Sequence, residues 1–208
     1  MIDQTTLITY LAILLGFVFI PGPAVLLTLA RASGSGTRAG LATALGIAAG
    51  DIIHTVLAVI GISAIVLASA FLFSLIKYLG AAYLVYLGLK AILEKAPNGQ
   101  LPAAGGLSSK AAFRQAILAE VLNPKSALFF LAFLPQFVRP ENGYVSLQLL
   151  ILGVLFVAMG LLSTVVVAIA AGKVGAFLRR NPVVLRWQGK VVGGIYCALG
   201  VRLALQEK

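Results

Sequence analysis

Residues 116–137 read AILAEVLNPKSALFFLAFLPQF, an apolar run of membrane-spanning length broken near its middle by Asn123-Pro124-Lys125. Proline removes a backbone donor and clashes with the preceding turn, so this run is expected to form a broken or kinked helix. Lipid cannot satisfy the freed carbonyl groups, and such a break persists only where protein or a wet cavity surrounds it. Lysine at a helix centre costs a further 2.5–3.5 kcal/mol or so on insertion scales. An earlier apolar run, residues 6–30, carries a matching interruption at Pro21-Gly22-Pro23. Helix breaks in corresponding positions of two halves of a short chain point to the binding site of a secondary transporter.

The rest of the chain agrees with a bilayer setting. Its 208 residues are 61% hydrophobic and 11% charged, with a mean hydropathy of +1.05, against about 25% charged in a soluble domain. The apolar runs do not alternate with polar residues, which argues against transmembrane strands. A net charge of +10 raises the question of nucleic acid, but the basic residues are dispersed at helix ends rather than gathered in one stripe, so no nucleic-acid partner is expected. Cys197 stands alone and reads as a small packing residue; it rules out an intramolecular disulfide and a cysteine metal cluster. No cofactor is expected. Asp3 precedes the first run with no basic residue beside it, and that run exceeds the 7–15 residues or so of a signal-peptide core, so it reads as a retained helix.

Taken in order, the runs predict an all-α integral membrane protein of six helices near residues 6–30, 40–68, 76–93, 115–137, 144–172 and 188–205. The boundary between the second and third rests on a weak polar signal, Ser69 to Lys77. Ends of the two halves resemble each other: Lys77-x-x-Gly80-x-x-Tyr83 and Leu87-Gly88 recur as Lys190-x-x-Gly193-x-x-Tyr196 and Leu199-Gly200. With Pro23 set against Pro124, this gives one membrane domain, 1–208, of two three-helix repeats, 1–93 and 113–208. A cytoplasmic linker over 94–112, rich in glycine and proline, joins them. Three crossings per repeat force opposite orientations, an inverted-repeat plan with broken first and fourth helices. Arg31, Arg38, Lys90, Lys95, Lys110, Arg114, Lys173, Arg179, Arg180, Arg186 and Lys190 fall on one side; Lys77, Arg139, Arg202 and Lys208 fall on the other. The basic excess marks the cytoplasmic side, so both termini are expected outside the cytoplasm.

Four ionisable residues fall inside the hydrocarbon: Asp51, His54, Glu120 and Lys125. Counting about 1.5 Å per residue from the nearest basic flank brings Pro21-Gly22-Pro23, Asp51 and Lys125 toward one midplane. Asp51 and His54, spaced i, i+3, share a helix face. They read either as a proton relay or as a carboxylate beside a histidine that bonds a carbonyl. Glu120 and Lys125 flank the Asn123-Pro124 break. They read either as a charge-neutralising pair or as a site in which Lys125 meets a substrate carboxylate and Glu120 an amino group or a proton. Gly46 and Gly50 form a G-x-x-x-G face suited to close helix contact. A transporter of metal ions is one alternative, although Asp51, His54 and Glu120 barely supply three ligands. An intramembrane enzyme is another, without any His-Glu-x-x-His or Gly-x-Ser-x-Gly motif.

Several ordered motifs resemble a known group. They are Phe19-Ile20-Pro21-Gly22-Pro23, Gly36-Thr37-Arg38-Ala39-Gly40-Leu41 leading to Gly50-Asp51, the Gly80 to Gly88 stretch, Asn123-Pro124-Lys125, and Phe133-Leu134-Pro135-Gln136-Phe137. Together they resemble the lysine exporter and homoserine/threonine resistance type (LysE/RhtB) family of amino-acid exporters. The resemblance implies a bacterial-type inner-membrane exporter of amino acids or close derivatives, driven by proton exchange. It carries the Pro21-Gly22-Pro23, Asp51 and Asn123-Pro124-Lys125 positions over as functional ones. Which amino acid is carried, and whether the chain works as a monomer or a homodimer, stays open.

Overall fold

A computed structural model describes residues 2–19, 22–62, 70–93 and 106–205, and every regular element among them is helical. The helices are α1 (Gln4–Phe19), α2 (Pro23–Ser35), α3 (Thr37–Leu57), α4 (Ala70–Leu93), α5 (Ser109–Val121), α6 (Pro124–Leu128), α7 (Val145–Ile169), α8 (Ala171–Arg180) and α9 (Pro182–Leu205). A π-helical turn, Ala58–Ile62, prolongs α3; another, Phe129–Phe133, prolongs α6 and runs into a 3-10 turn, Leu134–Phe137. Pro21 and most of the expected linker lie outside the described residues.

Both proline triplets act as helix starts. Pro23 occupies the first turn of α2 after Gly22, and Pro124 the first turn of α6 after Asn123. Proline is favoured there because its missing N–H is unpaired in any helix at that point. Asn123 caps α6 by accepting the Lys125 N–H at 3.0 Å. Each break turns the chain: α1 meets α2 at 47°, and α5 meets the α6 segment at 44°.

Among the described residues two helical segments, Thr37–Ile62 and Val145–Ile169, are long and apolar enough to cross a membrane alone, and counting each bent pair as one span gives four. The protein is a multi-pass membrane protein with an apolar exterior. Leu57, Ile60, Leu79, Val154, Leu162 and Ile169 are all more than half exposed, as lipid-facing side chains are. Polar side chains turn inward instead: Thr28, Thr43, Asp51, Glu120, Asn123, Ser126, Gln148 and Ser163 are buried. Glycines set how closely the inner helices approach. A Cβ on Gly50 would stand 2.6 Å from the Glu120 Cβ, and one on Gly46 2.7 Å from the Ala116 Cβ. The G-x-x-x-G face therefore presses α3 onto α5.

Some boundaries differ from the sequence reading. Lys77, expected at the very start of a helix near 76–93, lies well inside α4, which begins at Ala70, and is buried, with Nζ 4.5 Å from the Tyr78 ring centroid. Its apolar neighbours Leu75, Ile76 and Leu79 carry the helix through it. The polar stretch after the fifth run is not an open loop, because it forms α8 and the start of α9, with Arg186 and Lys190 inside the latter. Arg31 likewise lies within α2.

Candidate functional site

The helix breaks face each other. Gly22 lies so near Lys125 that a Cβ on it would be 3.1 Å from Nζ. Around them Phe17, Asp51, Glu120, Asn123, Ser126 and Gly160 line a cavity of about 40 Å³. A water occupies roughly 30 Å³ of liquid, so this space holds little more than one and is closed to any amino acid in this conformation. The sequence places Pro21-Gly22-Pro23, Asp51 and Lys125 toward one midplane; the fold lines one cavity with Gly22, Asp51 and Lys125 and adds Glu120 and Asn123.

Each break frees carbonyl groups, and named side chains take them. In a continuous helix the Phe17 carbonyl would receive the N–H of residue 21, which is a proline. Lys125 donates to that carbonyl instead, Nζ to O at 3.0 Å, and lies over the Phe17 ring at 4.2 Å. Ser163, from α7, donates to the neighbouring Val18 carbonyl at 3.3 Å. At the second break, Pro124 deprives the Glu120 carbonyl of its helical donor, leaving it the Asn123 N–H at 3.0 Å from the main chain. His54 Nε2 lies 3.1 Å from that oxygen, and since a carbonyl only accepts, Nε2 carries the proton. The ring also stacks on Phe130 at 5.5 Å. Of the two readings of His54, this geometry is the carbonyl partner, because Nε2 is aimed at Glu120 and not at Asp51.

The acidic residues form a unit of their own. Glu120 accepts from Asn123 Nδ2 at 3.1 Å on each carboxylate oxygen and from the Ser126 hydroxyl. Its carboxyl and that of Asp51 line the same cavity. Asp51 Oδ1 is buried with no hydrogen-bond partner. Gly160 of α7 faces the same carboxyl; a Cβ there would be 3.5 Å from Oδ2. Among the described residues no ion pair joins Lys125 to Glu120 or Asp51. The ammonium rests on a carbonyl and a ring, while the Glu120 carboxylate is satisfied by Asn123 and Ser126.

Ser126, Phe17 and Gly160 escaped the sequence reading. Ser126 sits three residues after its capping Asn123, the spacing of a reciprocal cap. Phe17 sits four before a proline, which marks its carbonyl as orphaned. Gly160 carried no such signal, since its role comes only from α7 lying against α3. Among the described residues no three His, Cys, Asp or Glu side chains gather in a way that would hold a metal.

A polytopic helical protein whose broken helices meet around buried charges is, as a class, a membrane translocator and not an enzyme. The chain belongs to the LysE type translocator family, whose model matches residues 15–207. It is 33% identical over 197 residues to an "Uncharacterized membrane protein" of Vibrio cholerae, covering 95% of each chain. A Pseudomonas aeruginosa membrane protein is 34% identical over 198 residues, covering 91% of this chain and 92% of that one. The "Leucine efflux protein" of Salmonella typhimurium is 33% identical over 139 residues, covering 65% of this chain and 66% of its own. No solved structure matches the chain.

Proposed function

We propose that this translocator is a secondary exporter of amino acids, with leucine-like cargo as the first class to try, and that it works by exchange with protons. One observation carries the reading. An ammonium without a carboxylate partner, Lys125, lines one cavity with two carboxyl groups, Asp51 and Glu120, which would share a proton when the site is empty. That is the complement of a zwitterion. The cargo carboxylate would take Lys125 from the Phe17 carbonyl, and its ammonium would take the place of the shared proton between the carboxyl groups.

Proton balance then gives the coupling. Loading from the cytoplasm releases the shared proton inward; unloading outside restores it from the outer medium. One amino acid leaves for each proton that enters. Apolar walls supplied by Phe17, Val25, Ile47 and Phe156 suit an aliphatic side chain, which accords with the leucine efflux relative.

The six-helix inverted-repeat plan in a bacterial-type inner membrane belongs to the same proposal. α4 and α9, 24 residues each, are about 36 Å long, enough to cross a core of about 30 Å. They pack antiparallel and reciprocally: a Cβ on Gly88 would stand 2.6 Å from the Gly193 carbonyl, and one on Gly200 2.7 Å from the Ala81 carbonyl. Gly88 and Gly200 are the matched positions of the two repeats, so each meets the partner repeat at an equivalent depth. The paired caps, Gly22-Pro23 and Asn123-Pro124, follow the same symmetry. Counterflow in proteoliposomes tests the function. Unlabelled leucine inside should drive accumulation of labelled leucine, and a failure of all proteinogenic amino acids to do so would end the reading.

A further inference from the structure

We propose a second cargo site, a release cavity at the end of the molecule that carries the N-terminus, in which Arg139 and Arg202 take the carboxylate of the departing amino acid. The proposal rests on the amino-acid export reading and adds to it a place where cargo pauses after leaving Lys125. A cavity of about 180 Å³ opens there between the start of α1, the end of the α6 segment and the end of α9. It is several times larger than the central cavity, and its wall combines Thr5, Thr9 and Gln136 with Phe133, Phe137 and Leu199 beneath the two arginines. Guanidinium groups suit a planar carboxylate, which they bind through paired N–H donors. The threonine hydroxyls and the Gln136 amide offer partners for an ammonium or its water, and the phenyl rings accept an aliphatic side chain.

Arg139 is held in position by its main chain. Gln148, fully buried in α7, accepts the Arg139 N–H at 2.9 Å and donates to the Arg139 carbonyl at 2.9 Å. The same amide donates to the Gly143 carbonyl at 2.7 Å, which ties the following turn. Two acidic residues lie near this end: Asp3, bonded through its carboxylate to the Thr6 N–H and hydroxyl and within electrostatic range of Arg139, and Glu141 in the turn after Arg139. Neither lines the cavity, whose charged lining residues are the two arginines, and no hydrogen bond or ion pair takes the Arg202 guanidinium among the described residues.

The two cavities are separated by packed rings. Phe17 and Phe156 line the inner cavity, and Phe133 and Phe137 the outer one. Phe129 stands between them, with ring centroids 4.6 Å from Phe17, 4.5 Å from Phe156 and 5.1 Å from Phe133. Phe129 to Phe133 is the π-helical turn, a form concentrated at functional sites because its hydrogen-bond register is displaced from that of the α-helix. The ring cluster is the barrier that cargo passes, and the Arg139/Arg202 cavity lies just beyond it.

Equilibrium binding of radiolabelled L-leucine to purified protein in phosphatidylcholine nanodiscs tests this. Wild type should bind two leucines per chain. Lys125→Met should keep only an arginine-dependent site, and Arg139→Gln/Arg202→Gln should keep only the Lys125 site. Leucinamide, lacking the carboxylate, should bind the arginine-dependent site about tenfold more weakly or worse. Arg202→Gln alone, an exposed change, reads the same site should the double variant fold poorly. A single leucine per wild-type chain, lost in Lys125→Met and unaffected by either arginine variant, would overturn the release cavity while leaving the exporter intact. No binding of any proteinogenic amino acid by folded wild type would overturn both. Should adding phosphatidylglycerol to the nanodiscs expel leucine from the arginine-dependent site, the cavity would be a lipid headgroup site and the proposal would fall.

Discussion

Lys125 is the residue on which the cargo reading turns. Its ammonium has one hydrogen bond, to the Phe17 carbonyl, and a ring beneath it. A neutral acceptor leaves the charge without a counter-ion, so an arriving carboxylate gains a charge-assisted bond that the resting state lacks. Lys125→Met keeps the ring contact and removes the charge. It is expected to insert normally but to bind leucine about 10–100-fold more weakly, with little change for leucinamide, as read by titration of purified protein. Equal weakening of acid and amide would reduce the lysine to a strut for the first helix break. Lys125→Arg should restore little, because a planar fork does not fit where Gly22 lies against a compact ammonium. Gly50 is set by space alone. Gly50→Ala would put a methyl group 2.6 Å from the Glu120 Cβ and should lower stability by about 1–3 kcal/mol as the helices part. Thermal unfolding in detergent measures it; an unchanged midpoint would mean that α3 and α5 slide apart freely.

At the scale of the helix, a break is stable only if its freed carbonyl groups find donors, and the second break gives a clean test. His54 serves the Glu120 carbonyl because Pro124 cannot. His54→Leu alone should cost about 1 kcal/mol, because that buried oxygen loses its side-chain donor and keeps only the Asn123 N–H at 3.0 Å. Pro124→Ala supplies an N–H at the helical position, so His54→Leu in that background should cost much less. A double-mutant cycle in detergent melts reports the difference as a coupling energy; strictly additive changes would show that His54 holds the helix by stacking on Phe130 alone. The breaks themselves were legible in the sequence, because a missing N–H is a covalent property of proline and needs no tertiary knowledge. The partners were not. Whether His54 reaches a carbonyl or Asp51 depends on how α3 is rotated against α5, and one sequence without its relatives does not contain that rotation. Phe129 and its neighbours read only as part of an apolar run, since periodicity cannot separate a lipid-facing ring from one that closes a pathway. The start of α4 was misplaced for the opposite reason: the polar stretch ending at Lys77 read as a helix boundary, where packing and an adjacent tyrosine accommodate the lysine within a helix that begins at Ala70.

Across the whole molecule, orientation and charge movement decide how the exporter uses the membrane. With the basic excess on the linker side, Asn98→Cys in a Cys197→Ala background should be labelled only after the inner face is exposed. Asn142→Cys, in the turn before α7, should be labelled in intact cells. The reverse pattern would turn the exporter into an importer of the same geometry. The charge argument goes further. On the proposed mechanism the empty cavity holds one negative charge on a carboxyl pair sharing a proton and one positive charge on Lys125, for a net of zero. Loaded, it holds two carboxylates, Lys125 and a neutral zwitterion, for a net of minus one. The loaded leg therefore carries a negative charge outward and the empty leg carries none, so each cycle moves one positive charge in. An inside-negative potential should then accelerate leucine efflux even when the pH is equal on both sides. Its pull is about 2.3 kcal/mol per 100 mV for a charge crossing the full field. Asp51→Asn leaves a single carboxylate, Glu120, and makes both states neutral. That variant should exchange leucine for leucine normally yet respond to neither potential nor pH gradient. Proteoliposomes clamped with valinomycin and potassium gradients measure both. If wild-type efflux ignores potential while still following pH, then the carboxyl pair keeps its proton through loading, and the cargo ammonium must be bound elsewhere.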